Sequence, residues 1–213
     1  MDFNEFLKLS AKIENLPVPA EPSQFKMSPP YRGHLVKTQK ELIKNARKSA
    51  VMALFYPNAN NETEFVLILR KTYKGVHSAQ IGFPGGKLEA NETDAQAALR
   101  ETEEEIGVAQ HHIEIVKEMT SLYIPPSNFF VQPFIGLLKT TPNFIKEDRE
   151  VEAILKVKLI DFFNEDNVVT KNVSTAYDAI VAVPAYKLNN FFVWGATAMM
   201  LSEVKDLLKT AIK

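Results

Sequence analysis

Residues Gly85 to Val108 read GGKLEANETDAQAALRETEEEIGV, and the interpretation of this stretch decides the fold. Thr93 and Gln96 have the spacing of an N-terminal capping box, Asp94 puts negative charge in the first turn, and Gly107 supplies a left-handed stop. These signals predict a helix of about three to four turns from near Asp94 to Ile106. Ala95, Leu99, Thr102 and Ile106 recur at three- and four-residue steps and form one apolar stripe. Glu101, Glu104 and Glu105 lie at i, i+3 and i+4, so their carboxylates gather on a different face. Like charges at this spacing repel, and a cation among them would offset the repulsion. For a generic helix rich in glutamate, a solvated acidic face is the plain interpretation. The preceding turn, Phe83-Pro84-Gly85-Gly86, favours a cation site instead, because paired glycines admit positive φ and close approach of backbone to a ligand. Oxygen-only donors suit a hard cation such as Mg2+ or Mn2+, which keeps several waters and bridges to phosphate.

Gly86, Glu92, Arg100, Glu101, Glu104, Glu105 and Gly107 stand at the spacing G-x5-E-x7-R-E-U-x-E-E-x-G-U, where U is usually a bulky aliphatic residue. This pattern resembles the Nudix box, the signature of hydrolases that split a nucleoside diphosphate linked to another group. Thr102 stands where an aliphatic residue is usual. The resemblance implies an α/β fold, an α/β/α sandwich with a mixed central sheet, and a Mg2+ or Mn2+ cofactor. It also implies that Glu101 and Glu105 are the firmest metal ligands and catalytic groups, that Glu104 assists, and that the carbonyl of Gly85 completes the shell. Arg100 and Glu92 are expected to support the site as an ion pair that fastens the helix to its preceding loop. The general base stays open between a helix glutamate and a carboxylate from a later loop, Glu150 or Glu152. Each of those two, taken alone, reads more simply as an exposed acid near a strand end.

Upstream, Leu69-Arg70, His77, Gln80 and Phe83-Pro84-Gly85-Gly86 resemble the additional signature of the coenzyme A pyrophosphatase branch of that superfamily. Leu122 to Ser127, Pro133 and Trp194 to Thr197 are similar to further stretches of the branch, so the resemblance covers most of residues 35 to 205. Lys71 and Ala79 depart from it, standing where Ser and Gly are usual. The resemblance implies cleavage of coenzyme A or its acyl derivatives to adenosine 3',5'-bisphosphate and 4'-phosphopantetheine. Arg70, Lys71, Lys74 and His77 are the candidate substrate contacts, since clustered cations suit phosphate. ADP-ribose, a dinucleotide or another nucleoside diphosphate derivative is the alternative substrate, and a ligand sensor without catalysis is the alternative class. Intact Glu101, Glu104 and Glu105 argue against the sensor, which has no need of a metal-binding triad.

The whole chain narrows the field further. Its 213 residues suffice for one buried domain with an arm, and 25 Lys+Arg against 26 Asp+Glu leave a formal charge of -1. That balance gives no reason to expect nucleic acid or a polybasic membrane contact. There is no cysteine, which excludes disulfides, thiolate zinc sites and cysteine nucleophiles. No apolar run approaches the length of about 18 residues that a spanning helix needs. Asp2 and Glu5 stand where a signal peptide would carry positive charge. A cytoplasmic protein acting on a small-molecule nucleoside diphosphate is expected.

Residues 1–34 read as a short amphipathic helix followed by a proline-rich extended arm, and 35–213 as the catalytic domain. The helix carries Phe3, Phe6, Leu7, Leu9 and Ile13, and packs on the domain or on a second copy in a homodimer. Ser49–Tyr56 and Glu64–Arg70, either side of a polar turn cluster, predict a hairpin of the central sheet. Strands are expected at Ile113–Ser121 and Phe130–Leu138, a strand and short helix within Asp148–Phe163, and a strand pair at Asn167–Thr175 and Asp178–Pro184. A closing helix over Thr197–Ile212 would turn Met200, Val204, Leu207, Leu208 and Ile212 inward. Trp194 reads as a core residue at the start of that helix.

Overall fold

The computed structural model describes residues 1–71, 80–174 and 180–213. It begins with helices α1 (Phe3–Asn15), α2 (Ala20–Phe25), α3 (Arg32–Thr38) and α4 (Lys40–Lys44). Strands β1 (Arg47–Pro57) and β2 (Thr63–Arg70) form the expected antiparallel hairpin, with Phe55 opposite Phe65. The short strands β3 (Ile81–Gly82) and β4 (Gly85–Lys87) lead into helix α5 (Asp94–Ile106). Strands β5 (Ile113–Glu118), β6 (Leu122–Ile124), β7 (Phe129–Leu138) and β8 (Val151–Lys158) complete the main sheet. Helix α6 (Leu159–Phe163) then leads to a separate three-stranded sheet of β9 (Val168–Ser174), β10 (Ile180–Leu188) and β11 (Phe191–Trp194), and α7 (Gly195–Ile212) follows.

The main sheet is mixed, because β1 and β7 run parallel while its other pairings are antiparallel. Successive side chains of an extended strand point to opposite faces, so β1 feeds two cores. Met52, Leu54 and Tyr56 pack with Ala97, Ala98 and Ile106 of α5. Ala53 and Phe55 belong to the opposite core, with Phe3 and Phe6 of α1 and Val204 and Leu208 of α7. The sheet is therefore held between α5 on one face and α1 with α7 on the other, the α/β/α sandwich expected. No helix among the described residues is long and apolar enough to cross a membrane.

Several local expectations differ from the structure. The stretch Leu16 to Arg32 is not extended throughout, since α2 interrupts it. Its Pro22 falls in the first turn, where a missing N–H breaks no helical bond. This short helix is tied to α7: the Ala20 N–H and the Gln24 amide both donate to the Glu203 carboxylate at 3.0 Å. Helices α3 and α4 and strands β6 and β11, three to seven residues each, are too short to show a period in the sequence. Trp194 stands at the start of the last helix as expected, as the residue that caps α7, but it also ends β11 and is half-buried rather than a core residue. Met200, Val204, Leu207 and Leu208 are buried as expected, but Ile212 is 46% exposed because it lies at the last turn, past the edge of the core.

Candidate active site

The site begins with how α5 is started and stopped. The Gln96 N–H donates to Thr93 Oγ1 at 3.2 Å and the Thr93 N–H donates to Gln96 Oε1 at 2.9 Å, closing the capping box. Gly107 ends the helix with φ 73°. The N–H groups of Ile145 and Glu147 then donate to the carbonyls of Ile106 and Glu105, each at 3.0 Å. These bonds satisfy carbonyls that a helix end leaves without partners. They also hold the segment before β8 against the acidic end of α5.

The buried face of α5 is rotated from the predicted stripe. Ala97, Ala98, Thr102, Glu105 and Ile106 are buried, whereas Ala95 and Leu99 are only partly so. Thr102 is tolerated in place of an aliphatic residue because its hydroxyl donates to the Ala98 carbonyl at 2.6 Å. Glu105 is 1% exposed, so this carboxylate belongs to the interior rather than to a surface cluster.

Strand β4 lays the glycine turn against β1, with Gly85 opposite Val51 and Gly86 opposite Ala50. Both glycines are required by space. Gly85 has φ 146°, and a Cβ there would lie 2.3 Å from the Ala50 carbonyl oxygen. A Cβ on Gly86 would lie 2.2 Å from the Glu101 carboxyl carbon. The missing side chain of Gly86 is thus the cradle in which the Glu101 carboxylate sits.

One carboxylate oxygen from each of Glu101, Glu105 and Glu150 lies within 4.8 Å of the others. Glu150 arrives from a distant stretch of chain. Its carbonyl accepts from the Lys71 N–H at 2.8 Å as β8 begins to pair with the end of β2, where the register shifts between Leu69 and Arg70. Such an irregularity re-aims side chains beside it. Glu152, the other loop candidate, is exposed and outside this cluster. Glu104, 58% exposed at its side chain, is turned toward Arg100 at 3.0 Å rather than into the cluster. A cleft lined by Glu104, Glu105, Glu147, Arg149 and Glu150 opens the group to solvent.

Two arginines meet the acids. Arg100 donates from Nε to Glu92 Oε1 at 2.8 Å and from Nη2 to Glu92 Oε2 at 3.0 Å, and its Nη2 also donates to the Lys87 carbonyl at 2.9 Å. It stands 3.1 Å from Glu101 Oε1 as well, so one guanidinium joins the loop before α5 to the cluster. Its hydrogen bond holds the Glu92 carboxyl below its ordinary range. Arg70 donates from Nη1 to Glu105 Oε1 at 2.7 Å and from Nη2 to the Gly85 carbonyl at 2.6 Å. The Gly85 N–H donates to Glu105 Oε2 at 2.8 Å, which closes a ring of three groups. Burial pushes the Glu105 carboxyl up to about 7, against the opposing charge of Arg70. Burial also raises Glu101, with Arg100 opposing and the nearby charges of Glu104 and Glu150 adding.

Of the expected substrate contacts, Arg70 lies inside the acidic site and Lys71 is half-buried beside it, while Lys74 and His77 lie outside the described residues. The donor set is oxygen alone, anionic in excess, and partly withdrawn from water. Those properties fit a hard divalent cation held by Glu101 and Glu105, with the Glu150 carboxylate facing the same space and the Gly85 carbonyl joined to Glu105 through Arg70.

The family model for the NUDIX domain matches residues 46–174, more than half of the chain. Among curated proteins, Nudix hydrolase 3 of Caenorhabditis elegans is 23% identical over 184 residues, covering 78% of this chain and 77% of that protein. The peroxisomal coenzyme A diphosphatase ndx-8 of the same organism is 23% identical over 155 residues, covering 71% of this chain and 64% of that protein. Among solved structures, a MutT/nudix family protein from Enterococcus faecalis superimposes with a TM-score of 0.52 at 18% identity. That match covers 91% of this chain and 76% of the other, and shows the fold alone.

Proposed function

Because this chain belongs to the NUDIX domain family and is a Nudix pyrophosphohydrolase, we propose that it hydrolyses the diphosphate of coenzyme A or acyl-coenzyme A, with Mg2+ or Mn2+ as cofactor. The observation that carries the chemistry is the convergence of Glu101, Glu105 and Glu150 beside the Gly85-Gly86 turn. The substrate class is supported by the motif from Leu69 to Gly86 and by similarity to a coenzyme A diphosphatase.

A bound divalent cation supplies charge neutralisation of the diphosphate and lowers the pKa of bound water. The chain's residues do the remainder. Glu101 and Glu105 hold the cation, Glu101 fixed by the space Gly86 leaves and Glu105 by the Gly85 N–H. Arg100 and Glu92 keep α5 in register with its preceding loop. Glu150 is the most solvent-exposed carboxylate of the three and accepts a proton from the attacking water. The new P–O bond replaces the bridging P–O bond, the bridging oxygen leaves with adenosine 3',5'-bisphosphate or with 4'-phosphopantetheine, and the water's second proton stays on the product phosphate or passes to solvent.

ADP-ribose or another nucleoside diphosphate derivative is the second candidate, because Lys71 and Ala79 depart from the coenzyme A signature. A panel of coenzyme A, dephospho-coenzyme A and ADP-ribose, with products identified by mass, separates the two. Higher kcat/KM on coenzyme A is expected, and preference for ADP-ribose would overturn the substrate. Glu150→Gln should lower kcat by about a hundredfold or more, the usual contribution of a positioned base. An unchanged kcat would remove Glu150 from that role.

A further inference from the structure

We propose that Arg70 is the resident counter-cation of this site, pairing with the oxygens that a divalent cation uses and competing with it for them. The inference rests on the reading of the acidic cluster as a divalent-cation site. Arg70 donates to Glu105 Oε1 and to the Gly85 carbonyl, one oxygen from each of two groups assigned to that site, at 2.7 and 2.6 Å. Glu105 is buried, and without Arg70 its ionised form would have the Gly85 N–H but no paired charge. A guanidinium suits this position because it stays protonated and its planar fork reaches two acceptors at once. Its side chain remains 23% exposed, so it has an open side through which to withdraw.

Two cations drawn to one set of oxygens weaken each other's hold, since each attraction is counted against the other's presence. Arg70 must release Glu105 and Gly85 before both oxygens serve a metal. The freed guanidinium then has its donors available to the substrate diphosphate, which gives the metal-loaded chain its positive charge next to the scissile group. A purely orienting role makes the opposite forecast. If Arg70 only held Glu105 in place, its loss would disorder a ligand and weaken metal uptake.

The test measures Mn2+ binding to the full chain without substrate, by calorimetry or by the electron paramagnetic resonance of free Mn2+. Arg70→Gln removes the charge and should bind Mn2+ at least about tenfold more tightly than wild type, equivalent to about 1.4 kcal/mol. Arg70→Lys keeps the charge and should stay near wild type. Equal or weaker uptake by Arg70→Gln, with wild type binding Mn2+, overturns the role of Arg70 and leaves the metal site standing. If neither chain takes up Mn2+, both fall. An independent measurement on wild type covers the case in which the variant fails to fold: phenylglyoxal should modify Arg70, mapped by mass spectrometry, faster with saturating Mn2+ than with a chelator. Arg70 modified no faster in the loaded protein would also overturn the proposal.

Discussion

Gly85 and Gly86 are neighbours, yet alanine at each should damage a different property. At Gly86 the added Cβ meets the Glu101 carboxyl carbon at 2.2 Å, and ordinary contact begins at 3.4 Å, so the carboxylate must retreat by about 1.2 Å. The obstacle is the far end of a flexible side chain, which can move without disturbing the backbone. The stability lost is then little more than the Arg100–Glu101 contact, about 0.5 to 1 kcal/mol. A group misplaced by about 1 Å, however, can lower catalysis by about a hundredfold. At Gly85 the Cβ would lie 2.3 Å from the Ala50 carbonyl in the adjacent strand, and φ is 146°. Backbone strain of about 1 to 3 kcal/mol and overpacking of about 1 to 3 kcal/mol then fall on the fold itself. Urea denaturation, Mn2+ titration and kcat/KM measured on both variants separate the cases. Gly86→Ala should keep its unfolding midpoint near wild type while losing metal affinity and turnover; Gly85→Ala should lose stability first. Full activity in Gly86→Ala, or equal destabilisation by both changes, would refute the argument that Gly86 exists to seat Glu101.

Two further outcomes follow from buried groups. Burial raises Glu105 from an ordinary 4.5 to about 7, so the metal-free folded state holds this proton more tightly than the unfolded chain does. Its contribution to stability is fully present below about 4.5 and is lost as pH rises to about 7, on the order of 3 kcal/mol. Glu105→Gln has no such proton to lose, so with a chelator present its stability should fall less over that window; a slope equal to that of wild type would contradict the assignment. Phe6 is 1% exposed and its ring lies 4.9 Å from that of Phe55, so Phe6→Ala should cost about 3 to 5 kcal/mol in urea unfolding. A loss under about 0.5 kcal/mol, ordinary for a surface residue, would mean that α1 does not contribute to the core.

The helix that carries the acids is readable from local signals alone. Its start at Thr93-x-x-Gln96 and its stop at Gly107 are local events, settled by bonds within three or four residues. The hairpin of β1 and β2 and the strand-to-helix run of β8 and α6 were legible for the same reason, since periodicity and turn chemistry act at short range. The short elements were less visible. Helix α2 depends on bonds to Glu203, far along the chain, and strands β6 and β11 are too short to show a period. Within the site, helical spacing placed Glu101, Glu104 and Glu105 together, but it could not tell which of them turns inward. Packing decided that: α5 rotates to bury Glu105 against the glycine turn and leaves Glu104 to Arg100. Tertiary structure alone also chose Glu150 over Glu152, because the end of β2 bonds to the start of β8 and the segment before it caps α5. The same pairing brought Arg70 onto Glu105. A carboxylate and a guanidinium attract through space rather than along the chain, so their meeting is written in the fold and not in their spacing.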